Sequence, residues 1–178
     1  MRPENSNAEQ GLRDFIDYLP ANKDLEMIEI GSFLGESTVH FGKSNKIKRI
    51  WTIDPFERGY DDNDNASSAN LEAIKIKFFE NILPFGKKII HINAKSENLL
   101  HYFFPNTLDL IYIDGNHRYE YVKQDILLSI KLLKPEGLIA GHDYNSSRHP
   151  GIKKAVNEIL GKPDKTFLDK SWIKKLKN

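Results

Sequence analysis

Residues 27–38 read MIEIGSFLGEST, an apolar run carrying the acid Glu29, then Gly31, a four-residue step, and a second glycine, Gly35. A strand that runs into a glycine-rich turn and then a helix start is the place where an α/β protein holds a nucleotide-like ligand. Nineteen residues beyond Gly35 a second apolar strand, Ile50-Trp51-Thr52-Ile53, ends at Asp54. An acid at that point can accept both hydroxyls of a ribose.

The spacing of the glycines narrows the ligand. A dinucleotide fingerprint needs glycines at 31, 33 and 36, so that bare backbone can approach a pyrophosphate, and Phe33 and Glu36 stand there instead. A phosphate-binding loop needs Gly-Lys-Ser/Thr after the turn, whereas Gly35 is followed by Glu36 and Ser37. What remains is a turn for a ligand with a ribose and little or no phosphate, beside acids that favour positive charge. S-adenosylmethionine, an adenosine with a cationic sulfonium and an amino-acid tail, has that chemistry.

Outward from this stretch, strands and helices alternate without an internal repeat. Leu12, Phe15, Ile16 and Leu19 recur at helical spacing and Pro20 stops the run, so an amphipathic helix precedes the first strand. A short helix is expected from Glu36. The segment from Glu57 to Asn70 is polar and rich in Asp and Asn, and reads as a loop, either a lid over a site or a plain connection. Leu71, Ile74, Phe78 and Ile82 mark a helix face. Ile89–Ile92 and Leu108–Ile113 read as strands three and four, with a short helix around Leu99, Leu100 and Phe103 between them. Val122, Ile126, Ile130 and Leu133 form the next helical stripe, and a Lys-Pro-Glu-Gly turn leads into strand five at Leu138–Ala140. Ile152, Val156 and Ile159 fit a last helix, and 165–168 and 172–176 look like two short strands. Nearly continuous apolar strands separated by helices predict an α/β fold with a parallel sheet buried on both faces.

Four motifs stand in order: Glu29-x-Gly31-x-x-x-Gly35, Asp54, IYIDGNHRYEYV (111–122) and LLKPEGLIAGHDY (132–144). Together they resemble class I S-adenosylmethionine-dependent methyltransferases, above all the small bacterial branch related to macrocin-type sugar O-methyltransferases and cephalosporin hydroxylase-like proteins. The resemblance runs from about Glu26 to Tyr144. It implies a Rossmann-like methyltransferase fold: a seven-stranded, mostly parallel sheet with helices on both faces, the last strand inserted antiparallel between strands five and six. Residues 1–178 are expected to form a single domain, with 1–24 as a helical lead-in.

The same resemblance implies the site. The backbone around Gly31, Ser32 and Phe33, turned by Gly35, would cradle the amino-acid tail of S-adenosylmethionine, with Glu29 nearby. Ser37 and Thr38 would join them or act as ordinary helix-start residues. Asp54 would take the ribose, and Pro55 and Phe56 would flank the adenosine. Ser96 would touch the adenine, although Ser96-Glu97 also reads as a helix cap. Related O-methyltransferases hold Mg2+ with an acid after strand four and a pair of ligands after strand five, which carries over to Asp114, His142 and Asp143. A carboxylate stands at the position of His142 in several metal-dependent relatives, and an imidazole favours a transition metal over Mg2+. Asp143 reads equally as a cap of its loop. Asp114 belongs to both the cofactor and the catalytic sets. His117, three residues on, is the expected general base, because imidazole titrates close to neutral pH.

Composition fits this reading and excludes others. At 178 residues the chain can bury one sizeable core. Its formal net charge of +1 recommends no nucleic-acid partner, and its lack of cysteine rules out disulfides and thiolate metal sites. Lys170, Lys174, Lys175 and Lys177 surround Trp172 and Ile173 and read as a solvated edge or terminal strand. The start, MRPENSNAEQ, has no signal-peptide core and no apolar run reaches membrane-spanning length, so a soluble cytoplasmic protein is expected. The expected partner is a small hydroxylated acceptor, sugar or glycan-like, methylated on oxygen. Without a large extra domain its pocket must be shallow, built from loops or completed by a second subunit, so a homodimer is anticipated. Tyr60, Tyr119, Tyr144 and Arg148 are candidates to line it. The competing function is a protein that binds S-adenosylmethionine without methylating and works in a complex.

Overall fold

The computed structural model describes residues 7–21, 24–57 and 69–177. The expected lid at 57–70 therefore lies almost wholly outside the described residues, as does Tyr60. In chain order the elements are α1 (Asn7–Tyr18), β1 (Leu25–Ile30), α2 (Glu36–Lys43), β2 (Ile47–Ile53), α3 (Leu71–Ile82), β3 (Ile89–Ile92), α4 (Leu99–Tyr102), β4 (Leu108–Ile113), α5 (Tyr119–Leu132), β5 (Leu133–Gly141), α6 (Pro150–Leu160), β6 (Lys165–Thr166) and β7 (Trp172–Lys175).

Among the described residues the strands form one seven-stranded sheet in the order β3-β2-β1-β4-β5-β7-β6. Pairings from β3 through β5 are parallel, and β7 runs antiparallel to both β5 and β6. The chain winds outward from β1 to β3 and then returns to lay β4 on the other side of β1. That reversal opens a crevice at the carboxyl ends of β1 and β4, the place where open α/β sheets take their ligands.

The apolar strand residues serve two cores because the sheet is covered on both faces. Met27, Ile50, Leu110, Tyr112 and Ala140 face α1, α2 and α3, meeting Phe15, Phe41 and Phe78. Ile28, Ile30, Ile111, Ile113 and Ile139 face the other way, onto Leu99, Val122, Ile126, Ile152 and Val156. Each such side chain, fully withdrawn from water, contributes about 1.5–3 kcal/mol. The first core is aromatic at its centre, with Phe41 edge-on to Tyr112 at 5.0 Å and Phe15 edge-on to Tyr112 at 5.3 Å.

Three local readings change. The Lys-Pro-Glu-Gly segment does not precede β5 but interrupts it: Leu133 pairs with Leu108, the register shifts, and pairing resumes at Leu138 opposite Leu110, with Glu136 at φ 61°. In α5 the inward stripe is Val122, Asp125, Ile126, Ser129 and Leu132, while Ile130 faces outward and Leu133 already belongs to the strand. The lysine-rich tail supplies β7, an inner strand that buries Trp172 and Ile173, and the edge beside it is the two-residue β6. Lys174 and Lys175 reach out to Asp164 and Glu136. Among the described residues no helix is long and apolar enough to cross a membrane.

Candidate active site at the strand tips

The tips of the central strands are stitched together by backbone hydrogen bonds. The Gly31 amide donates to the Ile53 carbonyl at 2.9 Å, Asp114 to Ile30 at 2.8 Å, and His142 to Ile113 at 3.0 Å. Gly31, with φ +84°, lies so close to the β4 tip that a Cβ there would stand 2.2 Å from the Asp114 carbonyl oxygen. The tips of the first, second, fourth and fifth strands are thus joined in series along one edge of the sheet.

Asp54 anchors the glycine turn. Its Oδ2 accepts from the amides of Ser32 and Phe33, both at 3.0 Å, and its Oδ1 accepts from Phe56 at 2.8 Å. A carboxylate has about four lone-pair positions, so three are taken by backbone and roughly one is left for a ligand hydroxyl. Phe33 and Phe56 adopt φ 44° and 49° and Asp143 φ 57°. Such conformations are costly for residues other than glycine and gather at ligand sites, and here all three flank the crevice. Phe56 rests against Phe78 and His91, beside Asp54. The Ser32 hydroxyl, buried in the same turn, has no hydrogen-bond partner among the described residues. The Asp54 carboxylate, the buried Ser32 hydroxyl and the Phe56 ring thus stand together at the tips of the first two strands.

Glu29, Ser37 and Thr38 are brought together, but inward. Glu29 is fully buried, and its two oxygens accept from Ser37 Oγ and Thr38 Oγ1, each at 2.5 Å. Burial pushes its carboxyl up to about 8 against the pull of those two hydroxyls. Glu29 and Thr38 thus stiffen the start of α2 from beneath the turn. Ser96 is buried in the short turn after β3, and Pro55 is half-buried beside Asp54.

The chemistry-bearing groups gather at β4 and β5. His142 Nδ1 lies 3.4 Å from Asp143 Oδ2 and 3.7 Å from Asp114 Oδ1. His117 Nε2 lies 3.8 Å from Asp143 Oδ2 and 4.0 Å from Asp114 Oδ1. Burial alone would depress His142, yet Asp114 and the hydrogen-bonded Asp143 together raise it to about 9. Burial opposes the ionisation of Asp143, and the neighbouring His142 overrides it and holds the carboxyl at about 2. Asp114, His142 and Asp143 each place a ligand atom within 4.8 Å of the others. Ligand atoms of a transition ion stand about 3 Å apart, so these side chains fit a divalent cation after small movements. An imidazolium at 142 and a cation are alternative ways of neutralising the same two acids.

Two residues of the site were missed in the sequence. His149, at the start of α6, stacks on His117 with ring centroids 4.0 Å apart and forms a second potential ligand group with His117 and Asp143. It ends no strand, and nothing in its spacing set it apart. Asp125 hides in an apolar helix stripe. It is 1 % exposed and neither oxygen has a hydrogen-bond partner of normal geometry among the described residues. Burial holds its carboxyl up at about 7, although the nearby Ser96 hydroxyl pulls the other way.

Asp125 yields a pH prediction. Between its ordinary 3.8 and its folded value near 7, the folded chain keeps a proton that the unfolded chain has lost. Stability therefore falls as pH rises through that window and stays reduced above it. Asp125→Asn removes the ionisation and is expected to gain stability on the wild type between pH 5 and pH 8, by an order of 2–4 kcal/mol. Thermal melts of both proteins at the two pH values measure this. Parallel behaviour would show that Asp125 is not held protonated.

A seven-stranded sheet reversing at β1 and β4, with β7 antiparallel between β5 and β6 and a glycine turn and an acid at its first two tips, is the class I S-adenosylmethionine-dependent methyltransferase architecture. The chain belongs to the family described as "Methyltransferase domain", whose model matches residues 28–144. An uncharacterized protein of Acanthamoeba polyphaga mimivirus is 33 % identical over 142 residues, covering 77 % of this chain and 60 % of the viral protein. The match thus spans somewhat under two thirds of that relative's length. Among solved structures, the calicheamicin methyltransferase CalS11 is similar in fold with a TM-score of 0.62 at 14 % identity, covering 96 % of this chain and 77 % of CalS11. The O-methyltransferase NovP gives 0.58 at 16 %, covering 97 % and 78 %. Phosphoethanolamine N-methyltransferase 1 of Haemonchus contortus, in complex with phosphoethanolamine and S-adenosylhomocysteine, gives 0.58 at 16 %, covering 80 % and 27 %.

Proposed function

We propose that this chain transfers a methyl group from S-adenosylmethionine to an oxygen of a small polyhydroxylated, sugar-like acceptor. The observation that carries the oxygen assignment is the gathering of Asp114, His117, His142 and Asp143 beside the glycine turn. An alcohol is a weak nucleophile until a base takes its proton, and two imidazoles beside two carboxylates can supply that base.

In this reading the Ser32 and Phe33 turn and Asp54 hold the cofactor, which when bound supplies an electrophilic methyl group. Phe56 shields the nucleoside from water. His117 takes the proton of the acceptor hydroxyl at Nε2, the nitrogen that faces both acids. Asp114 and Asp143 stabilise the imidazolium that results. Asp114, His142 and Asp143 would hold a divalent cation, whose contribution is to favour the alkoxide over the alcohol. Orienting acceptor and donor in line is the remaining task of the crevice walls.

The test is transfer of labelled methyl from S-adenosylmethionine to a panel of hydroxylated and amine-bearing acceptors, with and without EDTA. Transfer to hydroxyls that is lost with EDTA and regained with a divalent salt is the expected result. Exclusive transfer to amines would overturn the oxygen assignment, and full activity in EDTA would remove the cation. Asp54→Ala deletes the ribose acceptor and frees three backbone amides, so S-adenosylmethionine affinity should fall at least about tenfold. Unchanged affinity by calorimetry would remove Asp54 from the cofactor site.

A further inference from the structure

Next to the histidine and aspartate cluster runs an open groove of about 460 Å³, walled by Tyr144, Asn145, Ser146 and Ser147 on one side and by α6 on the other. Along the chain it adjoins the cluster at two points. Asp143 directly precedes Tyr144, and His149, stacked on His117, directly precedes Pro150 at the groove wall.

The far wall is cationic. Lys153 Nζ stands 5.5 Å over the Tyr144 ring and 3.2 Å from Asn145 Oδ1, and Lys154 Nζ stands 4.2 Å over the Tyr119 ring. Both lysines line the groove. Glu158, the acid facing them on the same helix, is engaged by Lys123 at 2.9 Å and by the Tyr119 hydroxyl at 2.7 Å. Lys123 offsets its charge, so the two groove lysines leave a positive excess. Aromatic faces hold these ammonium groups without neutralising them. Tyr144 is itself fixed, buried with its hydroxyl donating to Asn157 Oδ1 at 2.7 Å.

The groove thus carries two ammonium groups beside amide and hydroxyl side chains, and Asp143 and His149 of the cluster flank its lining residues in sequence. We infer that it is the acceptor subsite, and that the acceptor is a phosphorylated sugar or polyol whose phosphate sits on Lys153 and Lys154 while a hydroxyl reaches His117. Two ammonium groups match a phosphate dianion, for which lysine is a common point-charge partner. Asn145, Ser147 and Asn157 suit the remaining hydroxyls. Which end of the ligand reacts rests on the methyl-transfer reading given above, whereas the anion site does not.

The test is calorimetric titration of the full chain, with and without S-adenosylhomocysteine, using glucose 1-phosphate, glucuronate and methyl α-glucoside as probes. Wild type and K153Q/K154Q are compared. Glucose 1-phosphate should bind the wild type, bind the variant at least about tenfold more weakly, and exceed both other probes. S-adenosylhomocysteine affinity should be equal in the two proteins. No binding of glucose 1-phosphate, equal binding by the variant, or equal binding of methyl α-glucoside would overturn the inference. Preference for glucuronate would replace phosphate by carboxylate and overturn the ligand class. Lysine-dependent phosphoester binding without any S-adenosylhomocysteine binding would uphold the anion site and sink the methyl-transfer reading instead.

Discussion

Gly31→Ala is expected to lower the melting temperature by about 10 °C and to abolish S-adenosylmethionine binding. The added methyl would sit 2.2 Å from the Asp114 carbonyl oxygen and 2.7 Å from Gly115 Cα, both backbone atoms that cannot swing aside. The φ of +84° is strained for alanine in addition. Relief requires the β1 and β4 tips to part, breaking the hydrogen bond from Asp114 to Ile30. A cost of at least about 3 kcal/mol follows, which for a chain of this size is roughly 10 °C. Differential scanning calorimetry measures the first effect and ligand titration the second. A variant that melts normally and binds normally would show that the tips of β1 and β4 are not in contact.

His117→Ala should reduce methyl transfer by about 10²–10⁴ while leaving S-adenosylmethionine affinity within about twofold. Its side chain is 11 % exposed, sheltered yet reachable, and its Nε2 faces both carboxylates. The loop that carries it is held independently of the imidazole. Asn116, buried, accepts the Arg118 amide at 2.9 Å, so loss of the ring should leave the loop in place. Single-turnover transfer and equilibrium binding separate the two quantities. Equal losses in both would make His117 a structural residue of the crevice and leave proton removal to another group.

Much of this was legible in the residues. Strands three and four begin and end where the apolar runs do, although only β4 is buried on both faces and the edge strand β3 buries Ile89 alone. The glycine spacing pointed to a nucleoside with little phosphate, and the family resemblance implied that Asp114 and Asp143 lie at adjacent tips. The remainder depended on tertiary placement. Asp125 and Ser129 sit in an inward helical stripe that reads as apolar, because tertiary packing there overrides the usual exposure of polar side chains. The bulge of β5 looked like a turn, since Lys134, Pro135 and Glu136 carry turn chemistry and pairing resumes only beyond them. His149 immediately precedes α6 and the two groove lysines lie on it, so their positions follow from the packing of α6 against α5.

The most direct measurement is hydrogen exchange of the full chain upon titration with S-adenosylhomocysteine. Saturable binding that slows exchange at 31–35, 54–57 and 114–118 together is the result expected of a single crevice at the meeting strand tips. Failure to bind, or protection confined to only one of these segments, would mean that the tips do not share a nucleoside site.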